Sequence, residues 1–354
     1  REPELTQLGR LIAHLPLDPQ LARLLLFGYT LRCFSPIVTL VALLSHRDPF
    51  TLAMGEEKQA ALSSRDSFAH RDFSDHLMML RAFNAYCEIP AYQHQRLIEF
   101  CRNKYISFPT MKMVAGIRRQ LLMELRRIRF INNVDTVLDD PFLNQYSNKW
   151  PIIQAAIVAG SYPCIGFVKG SKMRKIRTST DSTAQLHPSS SLRRQTQPQE
   201  RRNPDAQKYY SAEPTIEYLA FQEFVKIDEG LTLRTSTAIP STTIVLFAGP
   251  IRLSKDKLQA YSISGDETAL DDCGDQQSPF YQPREILELE SWLSVKGEFH
   301  DFVRLMQLRF KIMEYFLAVC RVPSEINLEK NKKLLETLCE VLSCEHRSKG
   351  FNEV

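Results

Sequence analysis

The sequence lacks the features that nucleotide hydrolases and membrane proteins need. No glycine-rich loop ends in Lys-Ser or Lys-Thr, the arrangement that cradles the phosphates of ATP, so we expect no nucleotide hydrolysis by this chain. The longest apolar stretch covers 36–44, far short of the roughly 20 residues that cross a bilayer. We therefore expect no membrane partner.

The sequence also lacks catalytic and metal-binding groups in the patterns that such sites use. No strand-turn-helix serine motif accompanies its histidines, and its paired carboxylates fall in loops or on helix faces rich in basic residues. Cys339, Cys344 and His346 have no second pair of ligands to complete a structural zinc site. We expect no catalytic residue, no metal and no cofactor.

Cysteine usage and net charge indicate the setting of the protein. Eight cysteines are scattered over 354 residues and no signal peptide opens the chain, which favours free thiols in a reducing compartment, with the cytoplasm as the expected location. The formal net charge of +4 permits nucleic-acid binding without indicating it. Because the chain begins at Arg1 inside a continuing pattern, we expect it to be a piece of a longer protein.

Hydrophobic periodicity separates helical parts from a β-rich part. Helical patterns continue to about residue 160, with the clearest single helix at 72–88 and a compact apolar helix at 152–159 that stops at Gly160. After Pro283 the pattern is helical again. Four short β-branched or aromatic runs between these parts predict the strands of a small β-barrel, at 165–168, 216–219, 231–233 and 244–247.

Two polar segments interrupt the β-rich part. Residues 189–207 are rich in Ser, Gln, Arg and Pro without an apolar period, which predicts a mobile loop whose deletion leaves the fold intact. Residues 262–278 form a second, acidic segment of the same kind.

Four short motifs follow one another along the chain. The first runs from Leu5-Thr6-x-Leu8-Gly9 to Leu15-Pro16-Leu17-Asp18-Pro19. The second joins Arg47-Asp48-Pro49-Phe50 to Ser74-Asp75-His76-Leu77 and Ala82-Phe83. The third is Ala159-Gly160-x-Tyr162-Pro163, and the fourth joins His187-Pro188-Ser189-Ser190 to Leu246-Phe247-x-Gly249. In order and spacing they resemble the C-terminal domains of the DEAH-box/RNA-helicase-A group of helicases.

This resemblance implies an α+β fold, a mostly helical winged-helix and ratchet-like bundle followed by an OB-like β-barrel and a C-terminal helical extension. The implied domains are the end of a winged helix at 1–50, the ratchet-like helical domain (HA2) at 51–160, the OB-fold-like domain at 161–283 and the helical extension at 284–354. The chain departs from the group in one OB-fold strand, which usually reads Arg-Asp-x-Thr. Here residues 233–237 read Leu-Arg-Thr-Ser-Thr and lack the acidic residue.

Within the group, three segments are most similar to the germline YTH-domain helicase branch. The segments are 117–122, 289–293 and 341–345. The branch implies a non-catalytic scaffold that binds mRNA and partner proteins in translational repression during germ-cell differentiation. Its fly member implies partners such as the bag of marbles and tumorous testis proteins. The alternative is the accessory, RNA-clamping half of an active ATP-dependent RNA helicase.

Basic side chains cluster in two parts of the chain. Nine basic residues at 96–129 are accompanied only by Glu99 and Glu124, and a second cluster lies at 169–177 among the expected OB-fold strands, where such groups commonly track a phosphate backbone. We expect single-stranded RNA, and no DNA, as the ligand. Alternatively, both clusters are solvated faces balanced by the acidic segment near Asp271. The candidate RNA-binding residues are Arg118, Arg119, Lys169, Lys172, Arg174, Lys175, Arg177 and Arg234.

An apolar seam is expected on a helix at about 297–320. Its members recur at alternating spacings of four and three, which can bury the apolar face of a partner helix. Further apolar residues, among them Phe302 and Phe316, widen this surface, so an intramolecular core helix is the alternative. The candidate partner-binding residues are Phe299, Val303, Met306, Phe310, Met313 and Leu317.

Overall fold

The structure, a computed structural model, describes residues 4–169, 173, 175–180, 183–196, 214–228, 230–249, 284–290, 292–323 and 328–352. Its helices are α1 Gln7–Ala13, α2 Pro19–Thr30, α3 Phe34–Leu44, α4 Glu57–Ala69, α5 Asp75–Cys87, α6 His94–Asn103, α7 Phe108–Arg127, α8 Trp150–Ser161, α9 Ser191–Gln195, α10 Ser241–Phe247, α11 Phe299–Arg321 and α12 Leu328–Lys349. Its strands are β1 Ile165–Val168, β2 Ile176–Arg177, β3 Gln185–Leu186, β4 Tyr218–Ile227, β5 Gly230–Ile239, β6 Arg284–Glu290 and β7 Leu293–Glu298.

Side-chain caps fix where the N-terminal helices begin. The Asp18 carboxylate accepts the backbone N–H of Gln20 at 2.9 Å, and Pro19 occupies the first turn of α2, where its missing N–H costs nothing. Ser74 caps α5 in the same way by accepting the N–H of Leu77 at 3.0 Å. Two of the recognised motifs are thus helix starts.

Two glycines allow the helices of the bundle to approach closely. A Cβ at Gly28 of α2 would lie 2.5 Å from the Ile37 side chain on α3, and a Cβ at Gly160 of α8 would lie 2.6 Å from Leu24 on α2. No larger residue fits either position without moving a helix. The three helices enclose one buried core with α5 and α7.

The β-rich part is a mixed sheet with the strand order β2-β1-β4-β5-β3. Strands β4 and β5 pair antiparallel from Tyr218 opposite Ile239 to Ile227 opposite Gly230, whereas β3 pairs parallel with β5. Strands β6 and β7 form a separate antiparallel hairpin. The strands that the structure describes form no closed barrel, and the predicted α+β class is confirmed.

One of the predicted strands is wrong, because residues 244–247 lie in helix α10. Ile244, Val245 and Phe247 are all buried, so the run is apolar on every side. A short run of this kind carries no periodicity that separates strand from helix, and its β-branched residues mislead. The other three runs do form strands, although β4 begins at Tyr218 and continues to Ile227.

The loop predicted at 189–207 is wrong for its first part. Residues 191–195 form α9, Leu192 is fully buried, and the Arg194 guanidinium donates to both oxygens of Asp66 at 2.7 and 2.9 Å. Deletion of 189–207 is therefore expected to damage the fold. Residues 197–207, and the acidic segment at 262–278, lie outside the described residues.

The C-terminal helices complete the main core. Phe316 of α11 stacks on Phe27 of α2 with ring centroids 3.9 Å apart, and Leu338 and Leu342 of α12 are buried. The bounds of α11 confirm the helix predicted at 297–320. Across the described residues, every helix is too short or too polar to cross a membrane.

Candidate nucleic-acid interface

The hairpin of β1 and β2 brings together part of the second basic cluster. The backbone N–H of Lys169 donates to the carbonyl of Lys175 at 3.0 Å, so both lysines lie where the two strands meet. Both side chains are exposed, and Arg177, two residues further on, is half-buried. Lys172 and Arg174, also predicted to bind RNA, lie outside the described residues. We call Lys169, Lys175 and Arg177 the hairpin cluster.

An aromatic row lies beside the hairpin cluster. Arg177 is paired with Phe167 across β2 and β1, and Phe167 with Tyr218 across β1 and β4, so the three side chains share one face of the sheet. The rings of Phe167 and Tyr218 stack with centroids 5.3 Å apart. The Tyr218 hydroxyl donates to the Ser294 carbonyl at 2.6 Å, and burial raises its pKa. Phe167 is half-buried, between the exposed lysines and this buried tyrosine.

Arg234 lies elsewhere on the sheet. It is half-buried on β5, where its guanidinium is 3.4 Å from the Glu223 carboxylate across the β4–β5 pair. Burial, followed by the positive charges of Arg234 and Arg65, lowers the pKa of the neighbouring His187. Arg234 therefore lies beside Glu223 and His187 and is not part of the hairpin cluster.

The two predicted arginines of α7 have opposite surroundings. Arg118 donates to the Ser35 hydroxyl at 3.3 Å, its guanidinium lies 5.7 Å from the centre of the Phe83 ring, and burial lowers its pKa. Its contacts are those of a side chain that joins α7 to α3 and α5. The Arg119 side chain is 69% exposed and lies 3.6 Å from the Asp135 carboxylate, which is 76% exposed, so Arg119 is available to a phosphate.

The structure shows a polar junction whose role we did not predict from sequence. Asp75 at the start of α5 is buried, and its carboxylate accepts the Ser190 hydroxyl at 2.7 Å, the Ser191 N–H at 2.8 Å, the Ser191 hydroxyl at 2.7 Å and the Ser236 N–H at 2.9 Å. These donors come from the segment after β3 and from β5. The Asp75 junction thus ties helix α5 to α9 and to the sheet.

Neighbouring residues extend the Asp75 junction. The Thr237 hydroxyl oxygen lies 2.7 Å from both the Ser74 hydroxyl and Nδ1 of His76, and the N–H of Ala238 donates to the carbonyl of Phe73 at 2.8 Å. Two motifs quoted for the family resemblance, at 74–77 and 187–190, therefore meet in space. The presence of both polar motifs in the sequence is the signal from which the junction could have been inferred.

Helix α11 divides the predicted seam between core and solvent. Met306 is buried, Val303 and Met313 are half-buried, and Phe310 and Leu317 are 53% and 40% exposed. The side chain of Phe299 lies outside the described residues. The buried face of α11 includes Met306 and six residues outside the predicted seam, namely Phe302, Arg309, Ile312, Tyr315, Phe316 and Val319.

Among the described residues, no group of three or more His, Cys, Asp or Glu side chains could hold a metal ion. Burial raises the pKa of the Cys101 thiol to about 11 and that of Cys320 to about 12, which keeps both protonated. The described arrangement offers basic and aromatic binding surfaces for nucleic acid.

Two family models of accessory domains match parts of the chain. The helicase associated domain (HA2), ratchet-like, matches residues 18–79, and the oligonucleotide/oligosaccharide-binding (OB)-fold matches residues 153–251. Together with the relatives below, the matches show that these parts of the chain are similar to the C-terminal accessory domains of DEAH-box helicases, the group that the four motifs resemble. Both matched domains are accessory domains and not the nucleotide-hydrolysing core. The predicted boundaries at residues 50, 160 and 283 stay a prediction.

Individual relatives carry helicase names. The chain is 32% identical over 195 residues to the ATP-dependent DNA/RNA helicase DHX36 of Rattus norvegicus, covering 54% of this chain and 19% of the relative. It is 28% identical over 253 residues to the DExH-box ATP-dependent RNA helicase DExH3 of Arabidopsis thaliana, covering 71% and 19%. DExH2 of the same plant is 25% identical over 346 residues, covering 92% and 21%. The chain spans about a fifth of the length of these relatives. Since the rat relative is named a DNA/RNA helicase, our exclusion of DNA has no support.

Proposed function

We propose that this chain is the non-catalytic accessory region of a helicase-like protein and that its hairpin cluster holds single-stranded RNA. The observation that carries the proposal is the meeting of Lys169 and Lys175 at the end of the β1–β2 hairpin, exposed, with Arg177 and the half-buried Phe167 behind them. Exposed ammonium groups on neighbouring strands can contact a phosphate backbone, and an aromatic ring can stack with a base.

The test is fluorescence anisotropy with labelled single-stranded RNA at increasing salt, comparing the unaltered chain with Lys169→Glu/Lys175→Glu. Each lost phosphate contact lowers the slope of log affinity against log salt by about 0.7. We expect the double variant to lose about 1.4 from the slope and roughly tenfold in affinity at low salt. The same titration with single-stranded DNA tests whether the ligand is RNA alone.

The matched control is Lys226→Glu, which is compared with Lys169→Glu alone because each makes the same single change of charge beside the same sheet. Lys226 is exposed near the far end of β4, about 26 Å along the strand from Tyr218. It should bind RNA almost as the unaltered chain does. Equal losses in both variants would mean that overall charge, and not the hairpin, governs binding, and no RNA binding at low salt would end the proposal.

The finer proposal is a cytoplasmic scaffold for translational repression in germ-cell differentiation. Its support is the similarity of 117–122, 289–293 and 341–345 to the germline YTH-domain helicase branch, whose fly member is the benign gonial cell neoplasm protein. Tethering the full-length protein to a reporter mRNA in germ cells should lower reporter protein without lowering reporter mRNA. Unchanged reporter protein, or loss of the mRNA, would contradict repression of translation.

The alternative, an accessory half of an active RNA helicase, is favoured by the names of the relatives, which are called ATP-dependent helicases. RNA-stimulated ATP hydrolysis by the full-length protein separates the two proposals. A rate that falls when the β1–β2 hairpin lysines are replaced would favour the helicase, whereas no hydrolysis in the full-length protein would favour the scaffold.

A further inference from the structure

A cavity of about 320 Å³ opens among the end of α2, the end of α7, the following loop at 129–143, and α11. Four aromatic side chains line its interior, and none of them belongs to the hairpin cluster. They are Tyr29, Phe130, Phe142 and Tyr315. The volume is at the lower end of small-molecule sites, which suits a ligand of one or two rings.

The loop that forms one wall of the cavity is held rigidly. Asp140 Oδ1 accepts the N–H groups of Phe142 at 2.8 Å and Leu143 at 3.0 Å. Asn144 Nδ2 donates to the carbonyls of Leu138 and Asp140, each at 3.0 Å. The loop is therefore ordered without a ligand, and binding would not have to supply the cost of folding it.

Polar atoms at the cavity are left without partners by these contacts. Among the described residues, the Tyr29 hydroxyl makes no hydrogen bond, and burial, with Tyr315 and Asp140 nearby, raises its pKa, so it stays a neutral donor. Asn133 uses Oδ1 to accept the Asp135 N–H at 2.8 Å, which leaves Nδ2 to donate. Asp140 uses Oδ1 alone within the loop, which leaves Oδ2 to accept. Donors and an acceptor thus surround an aromatic interior.

The charges at the mouth favour a ligand that carries phosphate. Arg129 lines the cavity and is exposed, and Lys112, Arg119 and Arg126 are exposed on the preceding helix α7. The Arg32 guanidinium lies 3.9 Å from the centre of the Phe142 ring and adds a further positive charge beside the cavity lining. A nucleic-acid strand that contacts the exposed basic residues of α7 would therefore reach the mouth of the cavity.

We propose that the cavity binds one nucleobase of a single-stranded nucleic acid, stacked on its aromatic side chains, with the base edge meeting Tyr29, Asn133 and Asp140 and the phosphate meeting Arg129. Base stacking on aromatic rings and hydrogen bonding at the base edge are the usual means of recognising unpaired nucleotides. The inference rests on the proposed binding of single-stranded nucleic acid and assigns a second contact to that function, on the helical side.

The test is isothermal titration of the whole chain with AMP, GMP, CMP and UMP. We expect saturable binding of one equivalent for at least one of the four, not displaced by inorganic phosphate. Tyr29→Phe, which removes only the hydroxyl, should weaken it about fivefold, the effect of one hydrogen bond. Thr136→Trp, which fills the cavity from its exposed rim, should abolish it.

The matched control is Tyr92→Phe, the same change at a tyrosine that is 85% exposed and does not line the cavity. It should bind as the unaltered chain does. No binding of any mononucleotide, displacement by phosphate, or binding unaffected by Thr136→Trp would each overturn the inference. The RNA titration of the hairpin variants is independent, so the proposed function can survive the loss of this pocket, and the pocket can survive the loss of the hairpin site.

Discussion

At the scale of single residues, the carboxylate of Asp75 joins helix α5 to the sheet. It is buried and accepts four hydrogen bonds, two of them from the backbone N–H groups of the fully buried Ser191 and Ser236. A buried charge is costly unless it is fully hydrogen-bonded, and here every donor comes from a different part of the chain than the carboxylate. The Asp75 junction therefore specifies how the two parts fit together.

Replacing Asp75 by alanine should lower the free energy of unfolding by about 2–4 kcal/mol, because it leaves buried donors of Ser190, Ser191 and Ser236 unpaired. The measurement is the shift of the urea midpoint followed by circular dichroism. Asp135→Ala is the control, since Asp135 is exposed and its ion pair with Arg119 is long, so its effect should stay within about 0.5 kcal/mol. Equal effects of the two changes would show that the junction contributes little.

His76 makes the free energy of unfolding depend on pH. Burial lowers its pKa from 6.5 to about 4, an effect that Asp75 and Gln222 only partly oppose. Between these values the unfolded chain binds a proton that the folded chain does not, so stability is full above pH 6.5 and falls as the pH drops towards 4. The loss attributable to His76 is up to about 3 kcal/mol.

The prediction is tested by urea unfolding at pH 7 and at pH 4.5. The amide of His76→Asn can keep a hydrogen bond to the Thr237 hydroxyl but cannot be protonated, so the difference in the free energy of unfolding between the two pH values should shrink. His14→Asn, at an exposed position, should leave that difference unchanged. An equal pH dependence in the unaltered chain and in His76→Asn would contradict a titrating His76.

At the scale of elements, α11 has two apolar faces with different surroundings. Phe316 is buried against Phe27, whereas Phe310 and Leu317, two turns apart on the other side, are exposed. The intramolecular alternative therefore accounts for the buried face, and the exposed residues are left for the proposed partner. Half-buried Met313 lies between the two exposed positions and can adapt to an incoming helix.

Phe310→Ser/Leu317→Ser should keep the fold and lose binding to the protein partner. The measurement is pull-down with co-expressed counterparts of the bag of marbles and tumorous testis proteins, after circular dichroism has shown an unchanged melting temperature. Met113→Ser/Met123→Ser, at exposed positions on α7, is the matched control and should bind normally. If the α11 variant unfolds, this face is core; if it folds and binds, the partner surface lies elsewhere.

Long periodic elements could be predicted from sequence, and short ones could not. Helix α11 is 23 residues long and carries an apolar periodicity, whereas α10 has seven residues, five of them buried, and its apolar run matched a strand equally well. Helix α9 looked like a loop because its stability comes from Asp75 and Asp66, more than 100 residues away in sequence. The hairpin lysines could be found from composition, but Arg118 could not be separated from Arg119 without knowing which one Ser35 and Phe83 contact.

At the scale of the whole molecule, one face of the sheet shares the main core of the helices, and the other face covers a second, smaller buried cluster. The main buried cluster includes Leu25 of α2, Ile157 of α8, Tyr218 of β4, Leu293 of β7 and Leu338 of α12. The end of the chain is tied back as well, since Asn352 donates to Asp72 at 2.8 Å and Phe351 is buried. Domains that share a core and a buried polar junction are expected to unfold together.

The two tryptophans of the chain allow this cooperativity to be measured. Trp150 is buried at the start of α8, and Trp292 is half-buried between β6 and β7, so each reports on a different part. Trp292→Phe leaves only Trp150 to fluoresce, and Trp150→Phe leaves only Trp292. In each variant, the urea midpoint from fluorescence should equal the urea midpoint from circular dichroism. Comparison within each variant is necessary because replacing the buried Trp150 lowers stability by itself.

Asp75→Ala, introduced into both single-tryptophan chains, should move the two fluorescence midpoints by equal amounts, since the shared core keeps the parts coupled. Two separate transitions in the chains with Asp75 intact would contradict a single cooperative unit. Separation only after Asp75→Ala would show that the junction, and not the apolar core, couples the helices to the sheet.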